Sequence, residues 1–262
     1  MPHLPPDLLS AALAAIRDIT NESTRTRALG ALVPHLPSDL LPAALAAVRD
    51  IEDEFDRIRA LGKLAPHLPS DLLPAAFAIV QDITNESDRA AALTALASHL
   101  PPDLLPAALA AAQDISKASA RARALGALAP YLPPNLLSQT LRDALTAARN
   151  ISDESARAAA LGTLAPHLPP DLLPAALAAA RDIRDESARA DALGALAPHL
   201  IQISRQNLYP MWQETLPVLA RRTRRDLLTD LRALVPVIVA LGETDAIAAT
   251  FRAIQDVAAR WP

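Results

Sequence analysis

Cysteine is absent from the sequence and aromatic residues are rare, and each shortage excludes a class of protein. Without cysteine there is no disulfide framework, no thiolate metal site and no cysteine nucleophile. Aromatic residues make up 3% of the sequence although 51% of it is apolar, because alanine and leucine supply most of the apolar content. No apolar run reaches the roughly 18 residues of a membrane-spanning helix, and Met1-Pro2-His3 lacks the basic start of a secretion signal. We therefore expect a cytoplasmic protein without membrane partners.

Basic residues are slightly fewer than acidic ones, 25 against 29. The formal net charge is −4, which argues against general nucleic-acid binding. The balance is uneven, because residues 201–262 carry eight basic and six acidic residues whereas residues 1–200 carry 17 and 23. The end of the chain therefore differs chemically from the rest.

What the sequence does contain is a repeat. A His-Leu pair followed by a proline-rich turn recurs at a spacing of 32 residues, which is lengthened once, and Tyr131 takes the place of histidine once. The histidines are His3, His35, His67, His99, His167 and His199. A fixed period of this length is typical of stacked supersecondary units. We predict an all-α, right-handed α-solenoid of stacked antiparallel helix pairs, with about 15 helices.

The second repeat shows how each unit divides into two helices. The first helix is predicted over Leu40–Ile51 with Asp39 as its N-cap, unless Pro37-Ser38-Asp39 forms a separate short turn. The second helix is predicted to begin near Asp53 and to end near Leu64, just before Pro66, because proline cannot continue the helical hydrogen-bond ladder.

The domain organisation follows from counting units. Residues 1–200 are predicted to form six helical-hairpin repeats. The repeat length is 32 residues, except that the fifth repeat has 36. Residues 201–262 form a degenerate seventh repeat and a C-terminal capping helix, predicted from about Thr244 to Arg260, so that the chain is one continuous array. The four extra residues of the fifth repeat, around Gln139 to Asp143, add about one turn, or ~6 Å, of helix.

Glycine recurs inside the second helices, at Gly30, Gly62, Gly126, Gly162 and Gly194. Glycine at such a site costs about 0.5–1 kcal/mol relative to alanine. We expect a close contact between helices that leaves no room for a Cβ atom; the alternative is a close approach of the backbone to a ligand.

A charged pair also recurs. Aspartate closes the first helix and arginine stands in the second, within the motif D-E-S-x-R-A-x-A-L-G-A-L. The aspartates are Asp18, Asp50, Asp82, Asp114 and Asp182, and the arginines are Arg25, Arg57, Arg89, Arg121, Arg157 and Arg189. This pattern over residues 1–200 resembles HEAT and HEAT-like repeats, which are related in architecture to armadillo repeats. The resemblance implies a structural hydrogen-bond ladder of these two residues between adjacent repeats, and second helices that line a contact surface.

Two groups of basic residues are candidates for partner binding. The site two residues after the ladder arginine holds Arg27, Arg59 and Arg123, and Lys63 lies nearby; a solvated helix face is the alternative. Arg221, Arg222, Arg224 and Arg225 form a second cluster that could bind an acidic partner, a phosphate or a nucleic-acid backbone. Favourable positive charge at a helix C-terminus is the structural alternative.

The sequence offers no catalytic, cofactor or metal site. The histidines share one register, and repeats stacked about 8–10 Å apart place them too far apart for one metal ion. We expect each histidine to pack over a turn; a pH-sensitive edge is the alternative. No nucleophile stands beside a base, and there is no phosphate loop.

We therefore expect a non-catalytic protein-interaction or ligand-sensing scaffold. The segment Leu231 to Trp261 resembles the ends of bacterial NACHT and related NTPase-type signalling proteins, which implies a fragment of a larger bacterial sensor. The first helix is as apolar as the internal ones, so self-association through this uncapped repeat is also expected. Two alternatives stay open: an enzyme accessory or bilin lyase, as some HEAT-like proteins are, and nucleic-acid or anion binding through the C-terminal arginines.

Overall fold

The computed structural model describes residues 5–242 together with Ala248, Arg252 and Gln255. Within these residues all regular structure is helical and there is no strand. The prediction of an all-α fold built from repeated helix pairs is therefore confirmed. The predicted last helix, with Ile247, Phe251 and Ile254 on one face, lies outside the described residues, as does Trp261.

Helices alternate between two series along the chain. The first helices of the repeats are α1 (Pro6–Arg17), α3 (Leu41–Arg49), α5 (Leu73–Gln81), α7 (Leu105–Gln113), α9 (Pro134–Arg149), α11 (Leu173–Arg181) and α13 (Arg205–Leu219). The second helices are α2 (Glu22–Leu32), α4 (Glu54–Leu64), α6 (Glu86–Leu96), α8 (Ala118–Leu128), α10 (Glu154–Leu164), α12 (Glu186–Leu200) and α14 (Arg224–Ala233). Residues 235–242 are also helical.

The contacts divide the chain into an N-terminal unit, Met1–Thr140, and a C-terminal unit, Leu141–Pro262. The division falls inside α9, not at residue 200, where the sequence predicts that the regular repeats end. In each unit successive second helices pack directly on one another, α2 on α4 and α4 on α6 in the first, and α10 on α12 in the second. Alanine and leucine fill these cores, as Ala44, Leu61 and Leu161 do with no exposed surface.

The first helices begin differently from the prediction. Ser38–Leu40 forms a separate 3₁₀ turn, and α3 starts at Leu41 after Leu40, with no side-chain cap. Asp39 as N-cap is therefore wrong, and the alternative of a separate turn is correct. The physical reason is Pro42, which occupies the first turn of α3 and removes an N–H group that a cap would otherwise satisfy.

The second helix α4 begins and ends as predicted, whereas α12 continues through Pro198 to Leu200, so proline does not end that helix. Asp53 caps α4 by accepting a hydrogen bond from the Asp56 backbone N–H at 2.8 Å. The helix ends at Leu64, and Ala65–His67 then tightens into a 3₁₀ turn at Pro66. The segments that end at His67 and His167 thus place the histidine at the end of a turn, whereas Ala197-Pro198-His199 lies inside α12.

The fifth repeat is longer because its first helix is longer. Helix α9 has 16 residues, whereas α7 and α11 have nine each. The four inserted residues lie in continuous helix, as predicted, and the other three extra residues are Pro134–Leu136, whose equivalents Ser38–Leu40 form a separate turn in the second repeat.

The recurrent glycines do not fill a contact that lacks room. A Cβ atom at Gly62 would lie 3.5 Å from Ala95 Cβ, and one at Gly162 would lie 3.5 Å from Ala195 Cβ, which are ordinary contact distances. Only Gly30 is tight, because a Cβ atom there would lie 3.3 Å from Cγ of Lys63. The predicted exclusion of a side chain is therefore wrong at Gly62 and Gly162.

The predicted ladder of aspartate and arginine side chains is also wrong. Asp18, Asp50, Asp82, Asp114 and Asp182 are C-cap residues of α1, α3, α5, α7 and α11. Among the described residues, no carboxylate of this set lies within 4.0 Å of an arginine of the second helices. Even Arg89 and Asp114, which line one cleft between α5 and α7, form no ion pair.

The arginines bind backbone carbonyl groups instead. Arg89, Arg121 and Arg157 donate to the carbonyl of the isoleucine six residues earlier, at Ile83, Ile115 and Ile151. Arg25 and Arg57 pair with Glu22 and Glu54 of their own helices at 2.7 and 3.8 Å, and Arg25 also reaches the Asp50 carbonyl at 3.5 Å. The guanidinium groups therefore satisfy helix ends, but without aspartate partners.

Glutamate forms the ladder that connects consecutive repeats. The carboxylate of Glu22 accepts hydrogen bonds from the backbone N–H groups of Glu52 and Asp53 in the next repeat, at 2.9 and 2.8 Å. The other members are Glu54 with Thr84 and Asn85, Glu86 with Ser116 and Lys117, and Glu154 with Arg184 and Asp185. Each glutamate therefore ties its second helix to the start of the following one.

These hydrogen bonds stabilise the ionised carboxylates. Hydrogen bonds from the Ser116 hydroxyl and from the Ser116 and Lys117 backbone lower the pKa of Glu86 to about 2. Backbone hydrogen bonds from Glu52 and Asp53 likewise lower the pKa of Glu22.

The last second helices use a buried ion pair. Arg189 of α12 binds the Asp230 carboxylate of α14 through Nε at 2.9 and 2.8 Å, and neither side chain is exposed. Arg189 also donates to the Ile183 carbonyl, as Arg89, Arg121 and Arg157 do to the equivalent isoleucines. This pairing replaces the predicted partner Asp182 by a residue of the degenerate seventh repeat.

Candidate functional site

The described residues contain one groove lined by three of the candidate basic residues. Helices α2 and α4 of the N-terminal unit form its walls, and its volume is about 260 Å³. Its lining residues are Thr26, Arg27, Gly30, Ala31, Arg59 and Lys63. The structure thus brings together Arg27, Arg59 and Lys63 from two consecutive repeats.

Packing between the two helices determines the floor of the groove. The buried Thr26 hydroxyl donates to the Asp56 carbonyl of α4 at 3.4 Å. The side chain of Lys63 lies against α2 at Gly30, where a Cβ atom would be only 3.3 Å from the lysine Cγ. Gly30 therefore gives the lysine stem space to cross from α4 to α2.

The three basic side chains differ in how far their charge is compensated. Arg59 forms an ion pair with Asp56 at 3.2 Å and lies over the ring of Phe55 at 5.8 Å from its centroid. In the described chain no carboxylate lies within 4.0 Å of Arg27 or Lys63, and both residues are exposed. The groove therefore carries uncompensated positive charge in a protein whose net charge is −4.

Arg123, the fourth candidate of this set, does not reach the groove. It is exposed on α8, and its guanidinium donates to the Ser87 carbonyl of α6 at 3.3 Å. Arg123 occupies the same repeat position as Arg27 and Arg59, but it lies two repeats after Arg59. It therefore belongs to a different part of the face formed by the second helices.

The C-terminal arginine cluster is divided by the structure. Arg222 donates to the carbonyls of Arg181 and Ile183 at 2.7 and 3.0 Å, so it satisfies the end of α11. Both bonds come from one guanidinium nitrogen, so part of the donor capacity of Arg222 is committed to the fold, and its role in partner binding stays a prediction. Arg221, Arg224 and Arg225 are exposed, and Arg225 lies 3.9 Å from Glu186.

A second groove has the same position in the C-terminal unit, between α10 and α12. Its volume is about 290 Å³, and small residues such as Ala158, Ala159 and Gly162 form its wall. The charged residues that line it are Asp185 and Asp191. The two grooves are therefore both formed by consecutive second helices, but they carry opposite charge.

Sequence reasoning missed two features of this region. The glutamate ladder was not predicted, although glutamate recurs at one position in five of the six repeats, at Glu22, Glu54, Glu86, Glu154 and Glu186. Phe55 was also missed; the residue is 63% exposed at a position that serine holds in the other repeats. That break in an otherwise constant register was the signal that could have identified it.

Four of the five described histidines lie at turns, and the fifth, His199, lies inside α12. His35, His67 and His167 end 3₁₀ turns, and Tyr131 takes the same place in the fourth repeat. No group of three residues able to hold a metal ion occurs in the described part of the chain. A search of the same residues finds no helix with the length and apolar character of a membrane span.

Comparisons with known proteins give little further information. No family model matches the chain, and no curated protein matches it. One solved structure, described as the computational design of self-assembling cyclic protein homooligomers, covers 96% of this chain and 93% of its own at 15% identity. Its TM-score of 0.21 is too low to support an argument about fold, partners or assembly.

Proposed function

We propose that this chain is a non-catalytic repeat scaffold that binds a protein partner on the face formed by its second helices. The groove between α2 and α4 is the observation that carries this proposal. It gathers three basic side chains from two repeats, and two of them have no carboxylate partner among the described residues. Because a long charged side chain held over a groove by neighbouring helices gains little for folding, binding is the better account of it.

The resemblance to HEAT-like repeats agrees with this proposal and stays a prediction. So does the idea that the chain is the sensor part of a larger bacterial signalling protein. The alternative of nucleic-acid binding through the C-terminal arginines is weaker, because Arg222 is bound to backbone carbonyls of α11.

Selection from a random peptide library on the immobilised chain tests the proposal. The groove variant Arg27→Ala with Lys63→Ala removes both uncompensated charges, and the control Arg149→Ala with Arg232→Ala removes two exposed arginines elsewhere. Substitutions at such exposed sites change stability by only about 0.5 kcal/mol, so folding should be unaffected, as circular dichroism can verify.

We expect peptides that bind the wild-type chain and the control but not the groove variant. If no peptide is enriched, or if the enriched peptides bind the groove variant equally well, the groove is not the binding site.

A further inference from the structure

The second helices present the same positions to each groove, but different side chains occupy them. The position of Arg27 is held by Arg59, Ala91, Arg123, Ala159 and Asp191 in the following repeats. The position of Ala31 is held by Lys63, Ala95, Ala127, Thr163 and Ala195. These two positions vary, whereas the packed position between them, Leu29 in the first repeat, is leucine in all six repeats, so the two positions are suited to determine what each groove binds.

Charge, not volume, distinguishes the two grooves. The grooves have volumes of about 260 and 290 Å³ and are both formed by two consecutive second helices. Arg27, Arg59 and Lys63 line the first, whereas Asp185 and Asp191 line the second. A ligand of the first groove must therefore offer negative charge.

An exposed aromatic ring lies beside the basic groove. Phe55 is one turn before Arg59 on α4, and the guanidinium of Arg59 lies over its ring. With 63% of the residue exposed, much of the phenyl surface remains in contact with water. A partner that covers this ring with an apolar side chain would gain favourable apolar burial.

We propose that the groove between α2 and α4 binds an acidic peptide segment, with its carboxylates on Arg27 and Lys63 and an apolar side chain on Phe55. This inference rests on the proposed function and specifies the partner. The variable positions of Arg27 and Lys63 determine the charge preference, and Phe55 provides the apolar contact.

The lining of the groove favours carboxylates over phosphate groups. Its donors are side chains in the middle of helices, where backbone N–H groups are already hydrogen-bonded within the helix, so no N–H cluster is available to a phosphate. The Asp56 carboxylate beside Arg59 repels a doubly charged group more strongly than a singly charged one. A long polyanion such as nucleic acid would also meet a protein of net charge −4.

Fluorescence anisotropy with synthetic peptides tests the proposal. The probe is a labelled peptide rich in glutamate with one central leucine; one matched peptide has glutamine for glutamate, and another has glycine for leucine. We expect the glutamate peptide to bind, with an affinity that falls as salt is raised. The variant Arg27→Ala with Lys63→Ala should weaken its binding about tenfold or more, and the control Arg149→Ala with Arg232→Ala should not.

Phe55→Ser, which installs the residue of the other repeats, isolates the apolar contact. It should weaken binding of the leucine peptide severalfold and leave the glycine peptide unchanged. Equal effects on both peptides would contradict the role of the ring.

A gain-of-binding variant tests the two variable positions directly. Ala91→Arg with Ala95→Lys places the same pair of charges on α6, next to Arg59 and Lys63 of α4. We expect tighter binding of the glutamate peptide, and no gain would contradict the assignment of these positions.

Failure of this inference is distinguishable from failure of the proposed function. If library selection yields groove-dependent peptides without net negative charge, or if the glutamine peptide binds as tightly as the glutamate peptide, the scaffold function stands and the acidic partner is overturned. If no peptide depends on the groove, both are overturned.

Discussion

A glutamate at the start of a second helix does two things at once. It places negative charge at the positive end of its own helix, and it accepts hydrogen bonds from two backbone N–H groups of the next repeat, as Glu22 does with Glu52 and Asp53. Those two N–H groups precede or begin a helix and have no partner within it. One carboxylate thus satisfies groups that would otherwise need water or a cap.

We predict that Glu86→Gln lowers the melting temperature at neutral pH, because an amide has only one acceptor oxygen, and its NH2 group cannot replace the second carboxylate oxygen, which accepts from the Lys117 backbone N–H. The folded-state pKa of Glu86 is about 2, below its ordinary value of 4.5. Its contribution is therefore fully present above about pH 4.5 and is lost as pH falls towards 2. Thermal denaturation by circular dichroism should show a difference between wild type and variant at pH 7 that shrinks across this range.

The control for this prediction is Glu52→Gln. Glu52 is exposed and lies next to the ladder, but only its backbone N–H takes part. If both variants melt alike, or if the difference for Glu86→Gln does not change with pH, the ladder does not stabilise the protein in this way.

The residue scale also shows where sequence reasoning fails. The recurrence of Asp50 and Arg57 was read correctly as structural, but the partners were wrong. An arginine offers five donors, so the sequence alone does not decide between a carboxylate and a carbonyl. Arg89 and Arg121 bind the isoleucine carbonyls of their own repeats, and that choice depends on the geometry of the turn between the helices.

At the scale of elements, the second helices are the better predicted. Asp53 as cap and Pro66 as terminator are local signals, and local chemistry decides both ends of α4. The first helices were harder, because Asp39 and Ser38 are equally compatible with a cap and with a 3₁₀ turn. Pro42 removes the N–H group that distinguishes the two.

Glycine within the second helices provides a test at this scale. We predict that Gly62→Ala stabilises the protein by about 0.5–1 kcal/mol, because alanine is the better helix former and its Cβ atom would lie 3.5 Å from Ala95 Cβ. Gly30→Ala should gain less, because its Cβ atom would press on Lys63 at 3.3 Å. Urea unfolding measures both free energies.

A larger gain at Gly30 than at Gly62 would contradict this account of the packing. A loss at both sites would instead restore the sequence-based expectation that the contact has no room for a side chain.

At the scale of the whole molecule, the first repeat is less well covered than its neighbours. Ala12, Ala15, Ala28 and Leu32 are half-buried or exposed, whereas Ala44, Ala47, Ala60 and Leu64 at the same positions of the second repeat are at most 1% exposed. In the structure described, the second repeat is covered by the first, and the first lacks such cover on one side. Its local stability should therefore be lower.

Hydrogen exchange followed by mass spectrometry tests this expectation. We predict that the amides of α1 and α2 exchange faster than those of α5 and α6, which have a repeat on either side within the same unit. Equal protection of the two regions would mean that some other contact covers the first repeat.

The local charge of the candidate site differs from the net charge of the unit that contains it. Residues 1–140 carry 11 basic and 15 acidic residues, yet their groove between α2 and α4 is basic. The net charge of residues 1–140 therefore predicts a negative surface here, which is the wrong sign. The repeat positions of Arg27, Arg59 and Lys63 correctly predict that these residues lie together. Phe55 and the ladder of glutamates required the structure, because their roles depend on which neighbours the packing brings close.

The glutamate ladder has a consequence for how such a chain can change. Its acceptors bind backbone N–H groups, and the residues that supply the first of them are Glu52, Thr84, Ser116 and Arg184; of these, Thr84 and Ser116 also donate a side-chain hydroxyl. Because the backbone hydrogen bonds form with or without an additional hydroxyl donor, repeats can be duplicated, deleted or exchanged during evolution with few compensating substitutions. The same property suits these repeats to protein engineering, because the binding positions can be varied while the glutamate hydrogen bonds between repeats are kept.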